Sequence, residues 1–405
     1  MTTASPQPEL PVTGTAPAAV ELVRAFEIEL LRYGRDAARV LAAPEQDPDC
    51  PLAHGYAALV HILRQTREGL ARAAPLIARA RALPGNPREA WLTAAIAAWQ
   101  AEDLARARAS LAALVAAVPD DLFAAKLLQL LYFAEGNAPG MRAVIEAVLP
   151  HHAATAEAHG MHAFALDQCG EPDAAERAAG RALALGPDPW AHHALAHVMD
   201  REGRHAEGRD WMHAHGADWA GCSSFLYTHN WWHAALFHLA LGDHDGALAL
   251  YGTRVWTMRK DYCQDQINAI SLLARLELAG VDVGDRWAEI ATLVAPRAGD
   301  AVDGFLDLHY AYALARAGDD RGVADLLARA CAGDVGGAPR WRRIMPAAAG
   351  GLVAFARGRY NEAWQLLAPV QPELRHLGGS TVQRDLFRRV ALAARAGGAA
   401  TDRVA

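Results

Sequence analysis

One interval recurs through this 405-residue chain and limits its fold more than any other property. A residue suited to a tight turn, glycine in every case but the first, stands at Glu102, Gly136, Gly170, Gly203, Gly242, Gly280, Gly318 and Gly358. The steps between them are 34, 34, 33, 39, 38, 38 and 40 residues. Between the turns the sequence is rich in Ala, Leu and Arg, and its apolar residues recur at i, i+3 and i+4. Leu104, Ala107, Leu111 and Leu114 form one such stripe, and Ala175, Ala178, Ala179 and Ala182 another. Runs of β-branched residues with period two are missing. A helix–turn–helix unit of this length cannot bury its apolar faces alone, so successive units have to stack.

Punctuation agrees with that reading. Pro51, Pro84, Pro119, Pro150, Pro187, Pro189, Pro346 and Pro372 mark places where helices begin or have ended. After several turns comes a similar phrase, as in Gly170-Glu171-Pro172-Asp173-Ala174-Ala175, Gly242-Asp243-His244-Asp245-Gly246-Ala247 and Gly358-Arg359-Tyr360-Asn361-Glu362-Ala363. A small residue there lets the second helix pack closely on the first. The 34-residue step is the tetratricopeptide period, and the later steps are the same unit with longer helices or loops. The predicted fold is all-α: a tetratricopeptide-type right-handed superhelix of about eight helical hairpins, whose first helices line the concave face. The expected boundaries are a disordered N-terminal tail over 1–18, one solenoid domain over 19–397 and a C-terminal tail over 398–405.

Composition excludes several functions. The 39 basic and 46 acidic residues leave a net charge of −7, and no basic run is placed to neutralise phosphates, so no nucleic-acid partner is expected. Lysine occurs only at Lys126 and Lys260, so a Schiff-base mechanism would have to use one of these two. The five cysteines (Cys50, Cys169, Cys222, Cys263, Cys331) are odd in number, far apart and without a Cys-x-x-Cys pair. That pattern fits a reducing cytoplasm and argues against a thiolate metal site or a disulfide framework. The N-terminus lacks a basic start followed by an apolar core, and no apolar run is long enough for a bilayer, so a soluble cytoplasmic protein with no membrane partner is expected. No Gly-x-Gly-x-x-Gly after a strand, phosphate-binding loop or Gly-x-Ser-x-Gly elbow is present.

Histidine is the residue that stands out. His193/His197 and His229/His233 are pairs four residues apart, a spacing that stacks both imidazoles on one face of a helix. The pairs fall at similar offsets before their turns: 10 and 6 residues before Gly203, 13 and 9 before Gly242. His159 and His162 precede Gly170 by 11 and 8, Asp307 and His309 precede Gly318 by 11 and 9, and His61 precedes an earlier turn at Gly69 by 8. Polar residues at matched positions of consecutive first helices converge on one cavity. Four imidazoles at this spacing, with Asp200, Asp307 and His309 near in the repeat frame, suit a divalent metal such as Zn, Mn or Fe. Neither pair has the Glu of a His-Glu-x-x-His hydrolase. A metal-free acid/base site is the other chemistry these residues offer. In it His197, His229, His233, Asp307 and His309 carry protons, while His54, His193, Asn230, Trp232, Arg384 and Asp385 bind the ligand. Arg384 supplies an anion clamp there, or else a structural ion pair with Asp385. Trp190, Tyr227, Trp231 and Trp232 supply flat walls or core packing. Gly378-Gly379-Ser380 precedes a helix and either holds an anion on its N–H groups or caps that helix. Arg340-Trp341-Arg342-Arg343 is expected to be a solvated face.

The chain resembles the tetratricopeptide repeat protein 38 family. The matching phrases run in order: Ala53-His54, Pro119-Asp120-Asp121 with Lys126, Trp190-x-x-His193-x-x-x-His197, His229-Asn230-Trp231-Trp232-His233, Asp285-Arg286-Trp287, Phe305-x-Asp307-x-His309, and Leu377-Gly378-Gly379-Ser380-x-x-Gln383-Arg384-Asp385-x-Phe387. It departs before His54, where the family often has Gly, and at His162, where it often has an aromatic. The resemblance implies the all-helical fold and no particular reaction. Two functions follow from the residues. In one, an interior pocket binds a small polar metabolite and uses the histidines on it. In the other, the chain is a non-enzymatic scaffold that holds a peptide or partner protein in its groove.

Overall fold

The structure, a computed structural model, describes residues 10–332 and 339–401. Among these the regular elements are helical, and the one extended pairing is an isolated bridge between Gly34 and Cys222. The chain is an all-α array of tetratricopeptide-type hairpins. It divides into two compact units, Met1–Phe133 with Asn137–Asn230 and Ala134–Gly136 with Trp231–Ala405, where one solenoid domain was expected.

The turns account for the interval seen in the sequence. All eight turn residues are left-handed, with φ between 60° and 83°. The residue after each turn sends its N–H back to a carbonyl five residues earlier, as from Asp103 to Ala98 (2.9 Å), Arg204 to Met199 (2.8 Å) and Asp243 to His238 (2.9 Å). This closes the first helix in a Schellman-type motif. In four hairpins the same residue opens the second helix. The side-chain oxygens of Asp103, Asn137, Asp243 and Asp319 accept the N–H three residues on, at 2.9–3.0 Å. A Cβ at Gly203 or Gly242 would meet nothing within 4 Å, so glycine serves there for its φ and not for space. Five residues after seven of the turns the residue is buried (Ala107, Met141, Ala175, Gly208, Ala247, Val323, Ala363), so the position takes a nonpolar residue and not always a small one.

Unit 1 opens with α1 (Pro17–Arg32) and the short α2 (Ala43–Gln46). Then come α3 (Pro51–Ile62) with α4 (Arg67–Ala82), α5 (Pro87–Gln100) with α6 (Leu104–Ala117), α7 (Leu122–Ala134) and α8 (Ala138–Val148). After these follow α9 (Ala156–Gln168) with α10 (Pro172–Leu185), α11 (Pro189–Arg201) with α12 (His205–His215), and the start of α13 (Ser224–Ala240). Gly69 is not a turn. It is the third residue of α4, its N–H bonded to the capping Thr66 Oγ1 at 2.8 Å, and the first hairpin turns on Gln65 at φ 52°. A buried ion network ties the early helices together. Arg88 of α5 bonds Asp121, before α7, and Glu27 of α1, each at 2.7 Å, and Tyr56 of α3 donates to Glu27. The expected tail over 1–18 begins outside the described residues. Its later part is fixed: the N–H groups of Thr13 and Thr15 donate to Glu89 and Asp47, each at 2.6 Å, and α1 starts at Pro17.

Unit 2 takes up the rest of α13, then α14 (His244–Leu250), α15 (Cys263–Leu278), α16 (Arg286–Val294), α17 (Gly304–Arg316), α18 (Asp320–Ala332), α19 (Pro339–Ala356), α20 (Tyr360–Leu367) and α21 (Thr381–Thr401). The last helix runs into the segment expected to be a tail from 398, whose remainder, 402–405, lies outside the described residues. Pro346 does not mark a boundary. It lies inside α19, half-buried, and the carbonyl it leaves without a helical donor belongs to the exposed Arg342, where water can reach it. In the arginine run, Arg342 and Arg343 are exposed, with Arg343 paired to Glu373, while Trp341 is buried and its Nε1–H donates to the His376 carbonyl at 2.7 Å. The Arg340 side chain lies outside the described residues. The five cysteines are free thiols, three of them buried. No helix among the described residues is long and apolar enough to cross a membrane.

Candidate functional site

The site is built on α11. Pro189 starts this helix, and Asp188 caps it by accepting the Trp190 N–H at 3.0 Å. The 3.6-residue turn then places Trp190, His193 and His197 along one inward stripe. The two imidazoles meet through their Nε2 atoms, 3.1 Å apart, and both residues are buried. His229 of α13 lies 5.0 Å from His193, ring centre to ring centre. His233 stands one turn further along the same α13 helix. His193, His197 and His229 each offer one ring nitrogen, and these nitrogens lie within 4.8 Å of one another.

A carboxylate fixes the histidine pair. His197 Nδ1 is 3.2 Å from Asp167 Oδ2, and neither side chain touches solvent. Asp167 in turn accepts from Arg201 Nε at 3.0 Å and Gln168 Nε2 at 2.7 Å. Burial pushes the Asp167 carboxyl up, but the hydrogen bond and charge of His197 and the Arg201 guanidinium outweigh it and hold the carboxyl below its usual range.

Aromatic rings wall the cluster. Trp190 stacks on His193 at 4.2 Å, Phe164 packs against both His193 and His197, and Phe225 stacks on His229 at 5.2 Å. On its far side Trp190 stacks on Tyr33 at 4.6 Å. The buried Lys126 donates to the Tyr33 hydroxyl at 2.8 Å, with its ammonium 4.9 Å from the Trp190 ring centre. Burial lowers the Lys126 amine to about 7 against the pull of Asp188, and burial raises the Asp188 carboxyl to about 7, aided by the charge of Glu157. Asp188 Oδ2 has no hydrogen-bond partner and lies against Gly160, where a Cβ would sit 2.0 Å from it.

The other sequence candidates are distributed differently. His54 donates from Nε2 to the Pro48 carbonyl (2.9 Å), which fixes the loop before α3. His159 and His162 contact the Ala153 carbonyl (3.0 Å) and Glu146 (3.3 Å), away from the inward stripe. Asn230 donates to the Pro189 carbonyl at 3.3 Å. In unit 2, Trp232 is fully buried beneath the Arg275 guanidinium and edge-on to His233. His309 donates from Nδ1 to Phe305 O (2.8 Å) and not to Asp307, packs between Phe305 and Phe387, and is lowered by burial to about 4. Arg384 donates from Nη1 to the carbonyls of Gly378 and Gly379, and Asp385 pairs with Arg388 and Arg389, so the two do not pair with each other. Ser380 and Gln383 bond reciprocally, N–H to Oε1 (2.8 Å) and N–H to Oγ (3.1 Å). That capping box uses the Ser380 and Gln383 N–H groups.

Sequence reasoning missed two partners. The carboxylate beside His197 is Asp167 of the preceding first helix. Its tie to Arg201 spans 34 residues, one repeat, which was the available signal. The Tyr33–Lys126–Trp190 stack depends on α1 approaching α7 and α11, which no periodicity shows.

Hairpins of this length, turn geometry and period define a tetratricopeptide-type helical repeat protein. The sequence matches no protein-family profile. Among solved structures it is similar to the human IFIT1 dimer with m7Gppp-AAAA, at 15% identity over 94% of this chain and 86% of that one, TM-score 0.47. It is also similar to the Cut9–Hcn1 hetero-tetramer of the APC/C (13% identity, 91% and 69% covered, TM-score 0.43) and to MamA of AMB-1 (23%, 38% and 85%, TM-score 0.27). At these identities the likeness concerns the fold alone.

Proposed function

We propose that the buried histidines of α11 and α13 form a ligand site, and that the chain is a tetratricopeptide-type protein of the tetratricopeptide repeat protein 38 kind that binds a small polar ligand there through imidazole nitrogen. The observation that carries this is the convergence of His193, His197 and His229 of unit 1, all buried, on one centre with Asp167 beside the second of them. Burying so many ionisable rings together disfavours the folded state, and a plain scaffold gains nothing from it. Proton transfer to a bound ligand is the chemistry that metal-free imidazoles offer.

The scaffold reading has less support. A peptide groove needs cations free to clamp backbone or a terminal carboxylate, yet Lys126 is buried against Tyr33 and Trp190, and Arg384 is engaged by two carbonyls. The negative net charge supports the absence of a nucleic-acid partner as part of the same proposal. Native mass spectrometry of tag-free protein, purified without chelators and compared with its denatured mass, tests the reading. The expected result is an excess mass that His197→Ala and His229→Ala each remove. A bare chain mass, or an adduct that both variants retain, refutes it.

A further inference from the structure

We infer that the ligand of this site is a single divalent transition-metal ion of the zinc class, held by His193, His197 and His229 of unit 1. The inference rests on the reading that the buried histidines form a ligand site, and it names what they hold. The donor set is imidazole alone. Neutral imidazole suits zinc and its later first-row neighbours, whereas manganese, magnesium and calcium prefer carboxylate and carbonyl oxygen.

Spacing agrees. Metal–nitrogen bonds of about 2.0–2.1 Å in a tetrahedron put neighbouring nitrogens about 3.3 Å apart. The Nε2 atoms of His193 and His197 are at 3.1 Å, and the donor nitrogens of His193, His197 and His229 fall within 4.8 Å. Small side-chain rotations close the remaining gap.

The surroundings have the form of a metal's outer shell. Ligating histidines commonly give their second ring N–H to a carboxylate, which fixes the tautomer and strengthens the donor. Asp167 stands in that place for His197, and Arg201 and Gln168 hold Asp167 in turn. Trp190, Phe164 and Phe225 cover the imidazoles with apolar rings.

A second trio in unit 1 shows what the first has that proximity alone does not give. His192, His215 and Asp218 also bring one donor atom each within 4.8 Å. There, Nδ1 of His192 accepts the indole N–H of Trp219 at 3.2 Å, so the neutral ring keeps its proton on Nε2 and that atom has no lone pair for a metal. Asp218 is exposed as well. The geometry therefore assigns the metal to the first group and not to the second.

The test uses full-length, tag-free protein stripped with chelator and checked for native circular dichroism. It is titrated with Zn2+ against a chromophoric chelator and with Co2+ by visible absorption. The expected result is one equivalent of either ion, with the intense d–d bands of tetrahedral Co2+. His197→Ala should weaken uptake at least 100-fold and Asp167→Asn about 10–100-fold, while His192→Ala leaves it unchanged. Should His197→Ala fail to fold, His197→Gln and Asp167→Asn carry the comparison. A folded wild type that takes up no stoichiometric Zn2+ or Co2+ overturns the inference, as does uptake lost in His192→Ala and kept in His197→Gln. A chain that carries an organic molecule, lost in His197→Ala, and takes up no metal overturns the metal while leaving the ligand site standing. A chain with neither overturns both.

Discussion

Replacing Arg88 with Met removes the one cation from a buried network and leaves two carboxylates behind. Arg88 bonds Asp121 and Glu27 at 2.7 Å each, and its side chain is 4% exposed. Removing one partner of a buried pair destabilises by about 3–5 kcal/mol. Protonation sets a ceiling, because a carboxyl near 4.3 in the unfolded chain can be kept neutral at pH 7 for roughly 4 kcal/mol. A loss of about 3–4 kcal/mol at pH 7 is therefore expected. Burial already pushes Glu27 up against the opposing pull of Arg88, and without the guanidinium it rises further. A carboxyl whose folded value is raised stabilises the folded state at low pH and ceases to as pH climbs through that value. The difference between variant and wild type should thus shrink by about 1.4 kcal/mol for each pH unit below 7. Urea unfolding followed by circular dichroism at pH 5.5, 6.5 and 7.5 measures it. A loss under about 1 kcal/mol, or one that does not change across these pH values, would refute the argument that Arg88 compensates buried charge.

Other consequences are independent of this one. Gly203→Ala should destabilise by about 1–2 kcal/mol, since its φ of 71° penalises any Cβ, whereas Gly180→Ala, on the exposed face of α10, should stabilise by up to about 1 kcal/mol; denaturant midpoints give both signs. Native protein at pH 8 should label quickly with a thiol reagent at the exposed Cys331, while Cys50, Cys222 and Cys263 react only on unfolding, the last two also because burial pushes their thiols up to about 12. His309, lowered to about 4 by burial, contributes stability that is full above its unfolded value near 6.5 and is lost as pH falls through 4. His309→Gln should flatten that limb of the stability curve, by an amount on the order of 3 kcal/mol, and an unchanged acid limb would show that His309 charges freely.

The fold was legible because its signals are local. A left-handed turn residue, an N-cap after it and an apolar residue five places on are written within a few positions, so even Glu102, where glycine is missing, was identifiable from the step of 34. Gly69 misled because glycine also fits the first turn of a helix, and Gln65 carries no compositional mark of a left-handed residue. Of the site, the i, i+4 pair His193/His197 and, from the next such pair, His229 were legible for the same local reason. Arg384 and Asp385 were not, since which carbonyl or cation each one meets depends on how the Gly378–Gly379 backbone folds back. Asp167 and the partners of Lys126 were not legible because the contacts join other repeats and α1, at separations that a single sequence does not encode.

The fit of Gly160 against the cap of α11 has a consequence for how this chain can change. The carboxylate of Asp188 occupies the space where a side chain at 160 would begin, so any larger residue there must turn Asp188 out of its place. With it would go the acceptor for the Trp190 N–H and the electrostatic neighbour of Lys126. The two positions are therefore one heritable unit: across descendants of this sequence, glycine at 160 and aspartate at 188 should be kept or lost together, and a lineage that breaks one without the other should be rare.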